Sequence, residues 1–261
     1  MIPDREAFLS RARTDEEREA LARAYDLLLE VVRSRRPRVG DFYDPFLAGR
    51  VLAALEKVPG VAARPDGGHA EAERVRVLVF PAGVEPRAED WQLGFLAVEG
   101  RWEGLTHRDF LGALLGLGLR REKVGDIYLH EGRAQIVLSA ELLPAVASQL
   151  SRVGRFPVKV TPISREELCP PPPQIKEVRA AVASLRLDAV AAAGFGVSRS
   201  RMAREITAGR VAVNWRLCQD ASRHVKEGDV ISARGRGRVK VFAVGGTTRS
   251  GRTSVILHRY V

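Results

Sequence analysis

Between Ser198 and Asn214 the chain reads SRSRMAREITAGRVAVN, which sets arginines at 199, 201, 204 and 210 around a narrow apolar stripe of Met202, Ala203 and Ile206. A guanidinium is planar and permanently charged, and its fork of N–H donors matches the oxygens of a carboxylate or a phosphate. Downstream, VISARGRGRVKVFAV interleaves Arg234, Arg236 and Arg238 with Gly235 and Gly237, and Lys240 follows. Glycines at such positions let a backbone come close to a phosphate while neighbouring side chains bind its oxygens. The chemistry these residues offer is therefore the neutralisation of a phosphate backbone. A plainer account also stands: Glu205 lies four residues after Arg201, and the face is then ordinary solvated charge.

The elements that must position these groups are legible nearby. Ser198 suits a helix N-cap and Gly209 a C-terminal stop, so residues 199–208 form a helix with Met202, Ala203 and Ile206 inward and Arg201 and Arg204 outward. RVAVN alternates as a short strand, and VISARGRGRVKVFAV supplies two more. Arg238 and Lys240 leave one strand face, opposite Val239 and Val241. Trp215, next to Asn214, suits either stacking on a base or covering a small core.

The charge distribution agrees. The 261 residues carry a formal net charge of +10, and from Lys176 to Val261 there are 17 Lys and Arg against 6 Asp and Glu, so the excess lies in the last third. Such a field favours a polyanionic partner, nucleic acid before an acidic membrane surface. With 45% hydrophobic residues the chain can build real cores. Its charged start, MIPDREAFLSRARTDEE, and the lack of a long apolar run point to a cytoplasmic protein without a membrane span. Cys169 and Cys218 sit in no metal-binding pattern, and the histidines at 69, 107, 130, 224 and 258 show no ligand spacing, so neither a metal nor a cofactor is expected.

Along the chain, residues 1–72 read as a helical region. Leu21, Ala24, Tyr25, Leu28 and Val32 recur at helical steps, and Asp44-Pro45 starts a second helix through FLAGRVLAALEKV. Residues 73–162 change to alternating strands and helices. RVRVLVF is an extra strand, and from residue 93 the order βαββαβ gives a ferredoxin-like plan. Residues 163–176 form a linker containing Pro170 to Pro173. The last domain, 177–261, is expected to open with a helix carrying Val178, Val182, Leu185 and Ala189. The fold class is thus α+β in three parts.

SRSRMAREITAGRVAVN resembles the helix, turn and strand core of the RNA-binding domain named after the fourth small-subunit ribosomal protein, the S4-type domain. The match runs through Ser198, Arg199, Ala203, Ile206, Gly209, Val211, Val213 and Asn214. With SLRLDAVAAAGFGVSRS, EGDVISARGRGRVKV and LTHRDFLGALLGLGLRREKVGDIYL, most of the chain is similar to the YlmH-like family, whose DFLDP motif appears here as DFYDP. The resemblance implies a helical amino-terminal region, a central fold like an RNA-recognition motif and a carboxy-terminal S4-type domain. It also implies that RNA lies on Ser198, Arg199, Arg201, Arg204, Arg210, Asn214 and the loop of Arg234, Arg236, Arg238 and Lys240. The partners it implies are structured rRNA and tRNA, the large ribosomal subunit carrying peptidyl-tRNA after a stall, and a factor that tails the nascent chain. The protein is expected to be a non-enzymatic monomer.

Competing chemistries are weaker. GALLGLG has the glycines of a cofactor loop but falls inside an amphipathic helix, where close helix packing explains them, which disfavours a methyltransferase. Pseudouridine synthases also carry the small basic module, and HRDF offers an arginine-aspartate pair, yet Asp109 fits better as a first-turn carboxylate. The central strand AQIVLS lacks the aromatics of a base-stacking sheet, with only Phe95 and Tyr128 on plausible neighbours, so this domain reads as a docking or spacer element.

Overall fold

The computed structural model describes residues 2–172, 174–248 and 251–260. It comprises two compact units, 1–171 and 172–261. Pro173 of the proline run, like Arg249 of the basic third, lies outside the described residues.

The first unit starts with helices α1 (Arg5–Leu9) and α2 (Asp15–Ser34). The Thr14 side chain accepts from the Glu17 amide at the start of α2. Strand β1 (Arg38–Tyr43), helix α3 (Pro45–Leu55), and strands β2 (Val61–Asp66) and β3 (Val75–Pro81) follow. The three strands form one antiparallel sheet in the order β1-β3-β2. The amino-terminal region therefore carries helices on a small sheet of its own. The run RVRVLVF, expected as an extra strand of the next domain, is the centre of this sheet. Its residues 77–80 are buried on both faces, which is why it reads as a continuous apolar run, while β1 and β2 are edge strands without a strong pattern.

Strands β4 (Leu93–Gly100), β5 (Val124–His130), β6 (Arg133–Ser139), β7 (Arg152–Val153) and β8 (Phe156–Ile163) make a second antiparallel sheet, ordered β5-β6-β4-β8-β7. Helices α4 (His107–Gly116) and α5 (Leu143–Gln149) pack on one face over Leu96, Val98, Ile136 and Leu138. Apart from the two-residue β7, this is the expected βαββαβ arrangement. Gly112 and Gly116 do not serve close packing, because a Cβ on either would meet open space. They lie on the solvent side of α4, where helical phase puts them opposite Phe110 and Leu114.

The other face of this sheet is covered by the chain itself. Phe42 of β1 packs on Phe95 and Val137, with Tyr128, Ile163 and Leu168 around them. Gly125 makes the approach possible, since a Cβ there would lie 2.8 Å from the Phe42 ring. The buried Gln135 amide pins the segment carrying Leu168: Nε2 donates to the Glu167 carbonyl (2.8 Å) and Oε1 accepts from the Cys169 amide (2.8 Å). Arg165 adds a bidentate pair with Asp66 at 2.7 and 2.8 Å. Arg76, 3% exposed, donates to the carbonyls of Gly40, Trp91 and Gln92. Arg74 similarly reaches the Val124 and Phe42 carbonyls. Both guanidiniums satisfy carbonyls that the meeting of two sheets would otherwise strand.

The second unit opens with strand β9 (Ile175–Val182), where a helix was expected. Val178 and Val182 do face the core, but as alternate residues of a strand paired along its whole length with the final strand. Helices α6 (Leu187–Phe195) and α7 (Arg199–Thr207) come next. Strands β10 (Val211–Val213), β11 (Arg216–Leu217), β12 (Val230–Ala233), β13 (Gly237–Thr247) and β14 (Thr253–Tyr260) complete an antiparallel sheet ordered β11-β10-β12-β13-β14-β9. Its core joins Val190, Phe195, Met202 and Ile206 of the helices to Val211, Ile231, Val239 and Leu257 of the strands.

Candidate nucleic-acid interface

Helix α7 begins as the sequence implies. The Ser198 hydroxyl accepts from the Arg201 amide (3.3 Å), and Gly209 takes φ of +67° just past the end. Ser198 thus works as a cap at an exposed helix start. Met202 and Ile206 are fully buried, while Arg199, Arg201 and Arg204 are exposed. Arg210 is exposed at the entry to β10, and its carbonyl accepts from the Arg234 amide (2.9 Å). That bond brings the loop between β12 and β13 against the end of α7. Gly235 and Gly237 both adopt φ of +81°, so their glycine identity is required by the tight three-residue connection itself.

Two carboxylates organise the arginines. Glu205 receives Arg236 through both oxygens (2.8 and 3.0 Å) and Arg201 through one (3.3 Å). The hydrogen bonds from Arg236, reinforced by Arg201, hold its carboxyl down to about 2. Asp188 is buried, which raises its pKa, but bonds from Arg186 (3.1 and 3.3 Å) and the Arg199 pair (3.1 Å) outweigh this and lower it. Four guanidiniums thus share two carboxylates and keep a surplus of two positive charges. The alternative pairing of Glu205 with Arg201 is real, but it does not neutralise the face. Among the described residues Arg204, Arg210 and Arg234 make no ion pair and stay exposed. The result is a cationic surface with some groups fixed and others open to a ligand.

Three of the sequence candidates lie elsewhere. Asn214 is a structural clamp: its Nδ2 donates to Asp229 (2.9 Å) and its Oδ1 accepts from the Val230 amide (2.9 Å). Its φ of +50°, followed by +62° at Trp215, forms the tight turn between β10 and β11, so the motif asparagine ties that hairpin to β12. Trp215 stays partly exposed at the tip, outside the core. Arg238 and Lys240 sit on the sheet face opposite the helices, since Val239 and Val241 between them are fully buried. Arg238 lies over the Tyr260 ring, 5.4 Å from its centroid, and burial lowers its pKa. Sequence reading missed Arg186, whose signal was its place two residues before Asp188 at a helix start.

In the first unit, Asp109 is committed to capping α4. Its Oδ2 accepts from both the amide and the hydroxyl of Thr106 at 2.7 Å, which lowers its pKa. Phe95 is buried, and Tyr128 donates to Asp126 (3.2 Å), so the aromatics of the central sheet are engaged internally. No helix among the described residues is long and apolar enough to cross a membrane.

Comparison with known proteins matches three family models in order: "YlmH, N-terminal" over residues 16–84, "Putative RNA-binding domain in YlmH" over 86–167, and "S4 domain" over 185–231. The chain is similar to ribosome-associated protein quality control protein P2 of Bacillus subtilis (strain 168), at 34% identity over 226 residues, covering 86% of this chain and 88% of that protein. Among solved structures it resembles the cell division protein ylmH from Streptococcus pneumoniae, at 26% identity and a TM-score of 0.52, covering 60% of this chain and 98% of that one.

Proposed function

The chain belongs to the YlmH family, and from that premise we propose that it docks the α7 face of its second unit on structured rRNA or tRNA. The target is the large ribosomal subunit while it still carries peptidyl-tRNA after a stall, and the role is quality control or rescue of the stalled chain. One observation carries the reading: among the described residues Arg204, Arg210 and Arg234 make no ion pair, and they stand beside guanidiniums that Glu205 and Asp188 hold in place. Fixed forks set orientation and open ones neutralise phosphates, releasing counterions. The name of the Bacillus relative, a ribosome-associated quality control protein, supports the ribosomal setting.

The protein acts in this reading as a cytoplasmic, monomeric adaptor without catalysis, beside a factor that extends the nascent chain. The capping role of Asp109 counts against an aspartate nucleophile there. Cosedimentation of the full chain with separated ribosomal subunits, with and without peptidyl-tRNA, tests the proposal. Co-migration with the large subunit is expected, stronger when the tRNA is present. Equal partition between both subunits or none would reject it.

A further inference from the structure

The six-stranded sheet of the second unit buries one face under α6 and α7. Across the other face, the strand register lines up Leu217, Ala212, Ser232, Arg238, Tyr260 and Ile175, one from each strand. The next row holds Val230, Lys240, His258 and Glu177. Of the large apolar side chains exposed among the described residues, Ile175, Trp215, Leu217 and Phe242 belong to this sheet or its first hairpin. Phe242 occupies a bulge, where the register of β13 against β14 shifts between Val241 and Ala243. A bulge re-aims a side chain, and here the ring is 49% exposed and stacked on His258, with centroids 3.9 Å apart and planes 16° apart.

We propose that this helix-free sheet face is a second RNA contact, which takes unpaired nucleotides by stacking their bases on the Phe242–His258 and Arg238–Tyr260 pairs. The inference rests on the RNA-binding reading above and adds a surface, and a class of RNA, that the α7 face does not explain. Two features favour an RNA strand over an apolar protein partner. Arg238, Lys240 and Arg179 share the face, whereas by register Glu177 is its carboxylate, already paired with Arg179 at 2.8 Å and 3.9 Å from His258 Nε2. The exposed carbon is also organised as stacked rings and a guanidinium over a ring, to which a base adds another layer. Tyr260 and His258 are two residues apart on one strand, so the two stacking positions lie about 7 Å apart along it. Lys240, beside His258, is placed to meet the phosphate of the same strand.

The test uses the full chain and two fluorescent probes, an unstructured single-stranded RNA and a closed RNA hairpin without overhangs. Phe242→Ala should weaken the single strand at least about fivefold, as loss of one stacked base requires, and leave the hairpin unchanged. Phe242→Trp should restore the affinity. Arg204→Ala with Arg210→Ala should weaken the hairpin more than the single strand. Phe242 lies outside the core cluster, so the alanine variant is expected to fold, and an unaltered circular dichroism melt checks this. Ultraviolet cross-linking of a uridine-rich strand should map to the peptides holding Phe242 or Tyr260. The proposal is overturned if Phe242→Ala binds the single strand like the parent, or if an abasic strand competes as well as one with bases. If the parent binds neither probe, the RNA reading itself has failed; if it binds only the hairpin, this inference alone has.

Discussion

The two large antiparallel sheets of this chain each carry a pair of helices on one face and differ in the fate of the other. In the first unit that face is closed by Phe42, Leu168 and the Gln135-anchored segment. In the second it is left open, with Arg238, Lys240, His258 and Phe242 upon it. Arginine follows the same division. The buried Arg76 and the half-buried Arg74 satisfy carbonyls where two sheets meet, and Arg204, Arg210 and Arg234 face solvent. A fold like an RNA-recognition motif thus does not by itself supply a stacking surface, which depends on whether the chain leaves the sheet bare.

The contrast can be broken most forcefully at Arg76. Arg76→Leu leaves three inward carbonyls without their donor and should cost about 3 kcal/mol or more in urea unfolding of the first unit, with hairpin affinity unchanged. The complementary change, alanine at Arg204, Arg210 and Arg234 together, should leave the melting profile alone. It should lower hairpin affinity at least about tenfold and flatten the slope of log affinity against log salt by about 3. An unaltered slope would return those residues to ordinary surface.

Gln135→Ala sharpens the comparison from the closed side. Releasing the 165–169 segment should cost about 1–2 kcal/mol and raise deuterium uptake there, while uptake in β13 stays constant. The smallest effect concerns pH. Glu205 has a folded-state pKa near 2 against an ordinary value near 4.5, so its contribution is complete above about pH 4.5 and fades as pH falls toward 2. Glu205→Gln should make the melting temperature of the second unit fall less steeply over that window. Identical curves would mean that Arg201 and Arg236 gain little from the carboxylate.

Much of this was legible in the sequence because local chemistry and tertiary structure agree. Ser198 and Gly209 bound α7, and the βαββαβ order from residue 93 stands. The failures have a shared cause. IKEVRAAV has helix-forming residues and valines four apart, yet eight pairings with β14 override that preference. β1 and β2 exist because β3 needs partners on both edges, which no local pattern announces. Asn214 also has a structural task that its motif does not announce, for its side chain ties a left-handed turn to β12. The pleat already set Arg238 and Lys240 on one strand face, opposite Val239 and Val241, but only the packing of the helices on those valines tells that this face points away from α7.

The pairing of β9 with β14 joins the first strand of the second unit to the last, with Ile175 opposite Tyr260. The stretch matched as an S4 domain, 185–231, is thereby flanked on both sides by strands that pair with each other. During synthesis, β9 precedes its partner and keeps an unsatisfied edge until β14 has been made. Closing the sheet consequently waits for β14, and a copy halted before β14 would present the unpaired strand edge that invites aggregation.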